Sequence, residues 1–242
     1  MTSLQTLMAA LHSDDANLRQ QAALRLGAMD ASPVMPELVP LMAAEPDAFV
    51  RETLTWAVVA RPEAATPELT KALTRDDLPH EPVLHALSKV GDPATITTIL
   101  PHAEAGDTAV ASKAWWALAR IADPATLPTL LAHLGITDAE RRHGLTRALL
   151  QFGEPVIDAL ADELTGDVPA RRSHAAEVLI SFADPDRYGT VERRDGRDHS
   201  ERAADVLRSA TAPEADEALL IATTDERPGL AAAAERLRSE RG

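Results

Sequence analysis

Apolar residues recur along the chain in two columns with helical spacing. The chain is built of repeated units, and each unit has one reference position early in its first helix. The two columns lie three and seven places after that position, which puts them about 40° apart around a helix. The three-place column is Ala22, Leu54, Val83, Ala114, Leu145, Ala175, Ala203 and Leu230. The seven-place column is Leu26, Val58, Leu87, Leu118, Leu149, Leu179, Leu207 and Ala234. Together they predict the core-facing stripe of one helix in each unit.

The reference positions repeat about every 30 residues. They are Arg19, Arg51, His80, Ala111, Arg142, Arg172, Ser200 and Arg227. Each of these helices is followed by a short turn, often Asp-Pro as at Asp92-Pro93 and Asp123-Pro124, and then by a second helix. Proline suits the first turn of a helix, and the residue before it leaves the α region, so Asp-Pro fits such a junction. This period predicts an all-α fold, a right-handed α-solenoid of about seven antiparallel helix pairs.

The amino-acid sequences of the first helices resemble those of a known repeat family. The stretches are LRQQAALRLGAMD from Leu18, VRETLTWAVVARPE from Val50 and ARRSHAAEVLISFADP from Ala170. They are similar to the pattern Val-Arg-x-x-Ala-Ala-x-x-Leu-Gly-x-x-x-Asp-Pro of HEAT-type repeats, including the short repeats of phycobilin lyase subunits. The resemblance spans nearly the whole chain and weakens after Pro185. It implies a HEAT-like solenoid whose second helices line the concave side, and it says little about function because this repeat serves many unrelated roles.

The predicted domain has one irregular unit and a closing helix. We expect residues 1–242 to form a single HEAT-like repeat domain, with a charged capping helix at about 228–241. The stretch at about 185–200 has few apolar residues and reads as a polar loop in a degenerate repeat. Its four arginines could alternatively hold a carboxylate or a phosphate. They are Arg187, Arg193, Arg194 and Arg197.

Composition narrows the classes of partner. Apolar residues make up 45% of the chain and aromatic residues only 3%, so the core must consist mostly of Ala, Leu and Val. The net charge of −14 argues against general binding to nucleic acid or to anionic membranes. The absence of cysteine excludes disulfides and thiolate metal sites. The sequence predicts neither a signal peptide nor a membrane span, and we therefore expect a cytoplasmic location.

Two adjacent tryptophans raise the question of which one is buried. Trp115 lies four places after its reference position, in a column of mostly small residues that borders the core stripe, so we predict that it is structural. Trp116 lies five places after it, roughly 160° from each of the two core columns. The equivalent residues in the first half of the chain are large, and we call these four residues the ridge. The ridge consists of Leu24, Trp56, His85 and Trp116.

The ridge and the second helices are the two candidate binding surfaces. Exposed apolar ridges favour contact with a partner, and tryptophan is enriched at binding hot spots. Alternatively, the ridge side chains lie flat over neighbouring helices and help to pack them. On the second helices, Glu37 and Glu68 begin a polar row that faces away from the core, and Asp158, Asp162 and Glu163 lie nearby. This acidic face would suit a basic segment of a partner, or it is simply a solvated surface.

Signals for catalysis or metal binding are weak. His80 and His85 are five residues apart, about 140° around a helix, so they cannot hold one metal in the usual way. His102 and His133 occupy equivalent places in consecutive second helices, but no carboxylate accompanies them. HEAT-like deoxyhypusine hydroxylases bind iron with several His-Glu pairs, and this chain has one such pair. HEAT-like DNA glycosylases need a basic concave face for the DNA backbone, and this chain is net acidic. We predict no catalytic, cofactor-binding or metal-binding residues.

The sequence therefore predicts a non-enzymatic protein–protein interaction scaffold or adaptor. Its partner would be another protein or a basic peptide segment, and not a nucleic acid or a membrane. The resemblance to phycobilin lyase subunits implies an alternative. In that alternative the chain is an accessory subunit of a lyase-type system that attaches a bilin or another small molecule to protein.

Overall fold

The computed structural model describes residues 3–184 and 199–241. All regular secondary structure in these two ranges is helical. The arginine-rich stretch predicted as a polar loop lies almost entirely outside the described residues, including Arg187, Arg193, Arg194 and Arg197. Within the described ranges, no helix is both long enough and apolar enough to cross a membrane.

The chain forms two compact units, residues 1–121 and 122–242. The helices of the first unit are α1 (Leu4–Ala10), α2 (Ala16–Gly27), α3 (Met35–Ala44), α4 (Ala48–Val59), α5 (Pro62–Ala72), α6 (His80–Val90), α7 (Ile96–Ile99) and α8 (Thr108–Ile121). Helices α2, α4, α6 and α8 pack in succession and form one layer, and α3 packs on α5 in the other. This two-layer arrangement is that of an α-solenoid.

Aspartates at the junctions start many of the helices, as the Asp-Pro pattern predicts. The Asp47 carboxylate accepts hydrogen bonds from the backbone N–H groups of Phe49 and Val50 at 2.9 and 3.1 Å. Asp92 and Asp123 cap short 3₁₀ turns in the same way, each followed by proline at the first position. These bonds satisfy N–H groups that a helix start otherwise leaves without a partner.

The predicted core columns are buried in both units. All sixteen side chains of the three-place and seven-place columns are buried. Trp115 is 0% exposed and is among the largest fully buried side chains, so its predicted structural role is confirmed. On the second helices, Leu38 and Leu69 are also 0% exposed.

The second unit has the same two-layer architecture. Its helices are α9 (Leu127–Leu131), α10 (Ala139–Phe152), α11 (Pro155–Leu164), α12 (Pro169–Ala183), α13 (His199–Ser209), α14 (Pro213–Ala222) and α15 (Pro228–Arg241). Helix α12 packs against α10 and α14 in one layer, and α13 packs against α11 and α15 in the other. Arg202 of α13 forms ion pairs with Glu154, directly before α11, and with Asp158 of α11, which ties α13 to the second-helix layer.

This layering corrects two of the reference positions. The sequence placed Ser200 and Arg227 on first helices, but α13 and α15 lie in the second-helix layer and α14 lies in the first. The assignment was wrong because Ala203 and Leu207 have the same four-residue spacing as the core residues of a first helix. Spacing shows which face of a helix is buried, but it does not show in which layer the helix lies.

The recurring arginine at the reference position has a structural role. In each case Nη1 donates a hydrogen bond to the carbonyl oxygen six residues earlier, which fixes the helix to the loop before it. The pairs are Arg19 with Ser13, Arg51 with Glu45, Arg142 with Ile136, and Arg172 with Gly166. Arg19 and Arg172 also make bidentate ion pairs with Glu45 and Glu214 near the start of the next first helix. The recurring arginine is therefore explained by packing.

Candidate protein-binding surface

The ridge lies on the first-helix layer of the first unit. Leu24 of α2 is 51% exposed and Trp56 of α4 is 48% exposed. His85 of α6 and Trp116 of α8 are half-buried. The four predicted residues therefore lie on consecutive, mutually packed helices, and two of them present large apolar surfaces to solvent. Their role in binding a partner stays a prediction.

One face of the Trp56 ring rests on α2. A Cβ atom added at Gly27 would overlap the six-membered ring of Trp56, so this ring lies directly against the backbone of α2. Half of the side chain nevertheless remains exposed to solvent. The ring is thus held by packing on one side and is open on the other. Packing on a neighbouring helix therefore describes one part of its environment, and an exposed surface for a partner describes the other.

The contact with Gly27 gives a first prediction. We expect Gly27→Ala to push the Trp56 ring out of its position, because the overlapping atoms belong to the ring itself. Quenching of tryptophan fluorescence by acrylamide should increase relative to the wild type. The same substitution made in a Trp56→Phe background provides the control, since the increase should then disappear. An equal increase in both backgrounds would contradict this placement of the ring.

Phe49 is an exposed aromatic residue that the sequence analysis missed. It is 79% exposed and lies at the start of α4, seven residues before Trp56. Residues seven apart point in nearly the same direction from a helix, so Phe49 extends the ridge surface along α4. That spacing was the available signal. It was missed because the comparison followed equivalent positions in successive units and not positions along one helix.

His85 is part of a charged network beside the ridge. Glu52 of α4 contacts Nε2 of His85 at 3.1 Å and Nζ of Lys89 at 2.8 Å. Burial alone would raise the pKa of Glu52, but the hydrogen bonds from Lys89 and His85 outweigh it and lower this pKa. Burial lowers the pKa of His85, and Lys113 lowers it further against the opposing effect of Glu52. The network links α4 to α6 and keeps Glu52 ionised.

The acidic row on the second helices is partly neutralised. Glu37 is exposed on α3, and Glu68 on α5 lies 3.8 Å from Nζ of Lys71. In the second unit, Asp158 is paired with Arg202, and Glu163 makes a bidentate pair with Arg171. This face carries less free negative charge than the sequence suggested. Glu37 and Glu68 stay candidate contacts for a basic segment.

The second unit contains a cleft of about 330 Å³ beside α10, α12 and α14. Two ion pairs, Arg142 with Glu177 and Asp225 with Arg227, lie in its walls. The charged groups best placed to bind a ligand are therefore already paired with each other.

The histidines of the first unit do not form a metal site with carboxylates. The rings of His80 and His102 meet edge to face, with centroids 4.8 Å apart, and Nε2 of His80 lies 3.0 Å from the carbonyl oxygen of Arg75. Among residues 3–184 and 199–241, no group of three or more potential ligands comes together around a common point.

Comparison with known proteins supports the repeat architecture. Residues 96–180, which run from α7 into α12, match the family model for HEAT repeats. These residues are HEAT repeats. The match covers the Asp-Pro junction at Asp123 and both reference arginines of the second unit, Arg142 and Arg172. No curated protein matches the chain.

Several solved structures are similar to this chain at low sequence identity. A protein of Escherichia coli, YibA, is 14% identical with a TM-score of 0.50, covering 97% of this chain and 92% of that one. The complex of CpcE and CpcF of phycocyanin lyase from Nostoc sp. PCC7120 is 19% identical with a TM-score of 0.46, covering 100% and 96%. Human deoxyhypusine hydroxylase is 15% identical with a TM-score of 0.41, covering 98% and 95%. At these identities the likeness concerns the fold alone.

Proposed function

We propose that this chain is a non-enzymatic protein-binding module whose contact surface is the ridge together with Phe49. The observation that carries the proposal is the exposure of two aromatic side chains on one face of α4, Phe49 at 79% and Trp56 at 48%. Leu24, 51% exposed, lies beside them on α2. In a chain with 3% aromatic residues, such a concentration on one surface is what a binding site requires.

The packing of Trp56 on Gly27 supports this role. A ring that is already held on one face loses little freedom when a partner covers the other face, and such preorganisation lowers the cost of binding. The hydrogen bond of Glu52 with His85 and its ion pair with Lys89 link the adjacent helices α4 and α6. These contacts restrict the freedom of the surface residues, which favours binding.

The proposal predicts that Trp56→Ala abolishes most partner binding. We expect the affinity for a partner captured from the native lysate, and then purified, to fall about 30-fold, equivalent to about 2 kcal/mol at a hot spot. Ile221→Ala is the matched control, because Ile221 is 65% exposed on α14 in the other unit. Equal binding by the wild type and both variants would contradict the role of the ridge.

The acidic row is tested in the same assay. If a partner binds Trp56→Ala normally but is lost in a Glu37→Lys, Glu68→Lys double variant, the contact surface is the second-helix face. The partner would then present a basic segment.

The lyase-type alternative rests on the sequence resemblance to phycobilin lyase subunits. It requires the chain, alone or with a partner subunit, to bind a small molecule such as a bilin. The test is to mix the purified chain with a bilin and to record the absorption spectrum. A shifted spectrum that survives in Trp56→Ala would favour this alternative over the ridge.

A further inference from the structure

The first-helix layer of the first unit has a charge opposite to that of the chain. Helices α2, α4, α6 and α8 carry six cationic side chains and two acidic ones, a net charge of +4, whereas the whole chain has a net charge of −14. The cationic residues are Arg19, Arg25, Arg51, Lys89, Lys113 and Arg120, and the acidic residues are Glu52 and Glu81. Four of these cations are explained by packing or pairing, because Arg19 and Arg51 hold the loops before their helices and Lys89 and Lys113 pair with Glu52 and Glu81. The cations that remain are Arg25 and Arg120.

Neither acidic residue of this layer is available to a partner. Glu52 is paired with His85 and Lys89, and Glu81 lies 3.3 Å from Nζ of Lys113. Binding a cationic partner at either carboxylate would require one of these pairs to break. The layer therefore repels basic segments.

Two arginines of the layer have no acidic partner among residues 3–184 and 199–241. Arg25 and Arg120 are exposed, and neither forms an ion pair with any other residue in the described ranges. Arg25 follows Leu24 directly, at the α2 end of the ridge. Arg120 follows Trp116 by one helical turn, at the α8 end. Within the described residues, the ridge therefore has one unpaired arginine at each end.

From this arrangement we infer that the ridge takes an acidic peptide segment with apolar side chains in its middle. Carboxylates of the segment would pair with Arg25 and Arg120, and its apolar residues would cover Trp56 and Phe49. Neighbouring packed helices are about 9 Å apart, so the ridge from α2 to α8 is about 27 Å long and matches about eight residues of extended chain. This inference rests on the proposed function and adds the charge and the length of the bound segment.

The test is selection from a random library of twelve-residue peptides displayed on phage. The immobilised full-length wild-type chain is the bait, and clones that also bind Trp56→Ala are removed. We expect the remaining peptides to be net acidic, with carboxylates on both sides of an apolar centre. Trp56-dependent peptides that are neutral or basic would overturn the inference but leave the proposed function standing. The absence of any Trp56-dependent peptide would contradict the proposed function itself.

Charge reversal provides an independent measurement on the selected peptides. We expect an Arg25→Glu, Arg120→Glu double variant to bind them about tenfold more weakly, with a difference that shrinks at high salt. An Arg236→Glu, Arg238→Glu double variant changes the net charge equally on exposed positions of α15 and should bind as the wild type does. Equal weakening in both double variants would show a general charge effect and overturn the inference.

Concentration-dependent dimerisation of the wild type that is lost in Trp56→Ala would also overturn the inference, because a second copy of the chain would then occupy the ridge.

Discussion

Replacing Trp115 by alanine is expected to lower the free energy of unfolding by about 3–5 kcal/mol, whereas replacing its neighbour Trp116 should cost about 1 kcal/mol or less. Trp115 is 0% exposed within α8, which packs closely on α6. Its removal would leave a large cavity that the surrounding structure can fill only in part. Trp116 is half-buried on the ridge side of the same helix, so its truncation leaves no comparable cavity.

Urea unfolding followed by far-ultraviolet circular dichroism measures this difference. The two variants remove the same side chain from adjacent positions, so each is the control for the other. Trp115→Phe adds a milder substitution that retains an aromatic ring, and we expect it to lie between the wild type and Trp115→Ala. Equal losses from Trp115→Ala and Trp116→Ala would contradict the assignment of the buried side to Trp115.

The tryptophan pair shows what periodicity can determine. The helical repeat fixes the direction of each side chain relative to the core stripe, so position along the chain was enough to separate Trp115 from Trp116. The same reasoning correctly placed Leu24 and Trp56 at the surface. It required no knowledge of how the helices assemble.

The layer assignment of α13 and α15 shows what periodicity cannot determine. A helix with a buried stripe looks the same in either layer, and only contacts between distant residues distinguish the two. The pairing of Arg202 with Asp158 joins residues 44 positions apart, and that of Arg172 with Glu214 joins residues 42 apart. Partners at such distances are not readable from spacing. Among the pairs that neutralise the acidic row, only that of Asp158 with Arg202 is distant in this sense, since Glu163 and Arg171 are 8 residues apart.

The buried His174 of α12 holds two other segments of the second unit. Its side chain is 0% exposed, its Nδ1 accepts a hydrogen bond from the backbone N–H of Gly135 at 3.3 Å, and its Nε2 lies 2.9 Å from Oγ1 of Thr146. Because Nδ1 is the acceptor, the neutral ring carries its proton on Nε2 and donates it to Thr146. Burial and, to a smaller extent, the positive charge of Arg142 together lower the pKa of His174 to about 3.

This histidine is expected to make the protein less stable in mild acid. In the unfolded chain His174 has a pKa near 6.5, so below that pH the unfolded state binds a proton that the folded state excludes. The contribution is fully present above pH 6.5 and is lost as the pH falls towards 3, by about 1.4 kcal/mol per pH unit. Between pH 7 and pH 4.5 the wild type should lose about 3 kcal/mol from this group alone.

Comparison with His174→Gln isolates this contribution. At pH 8 the variant should already be about 1–3 kcal/mol less stable, because the N–H of Gly135 and the hydroxyl of Thr146 lose their partner. Between pH 7 and pH 4.5, however, its stability should fall by about 3 kcal/mol less than that of the wild type. His143→Gln, at an exposed position of α10, is the control and should follow the wild-type curve. Parallel curves for the wild type and His174→Gln would mean that His174 takes up its proton equally in both states. They would contradict its burial as a neutral ring between Gly135 and Thr146.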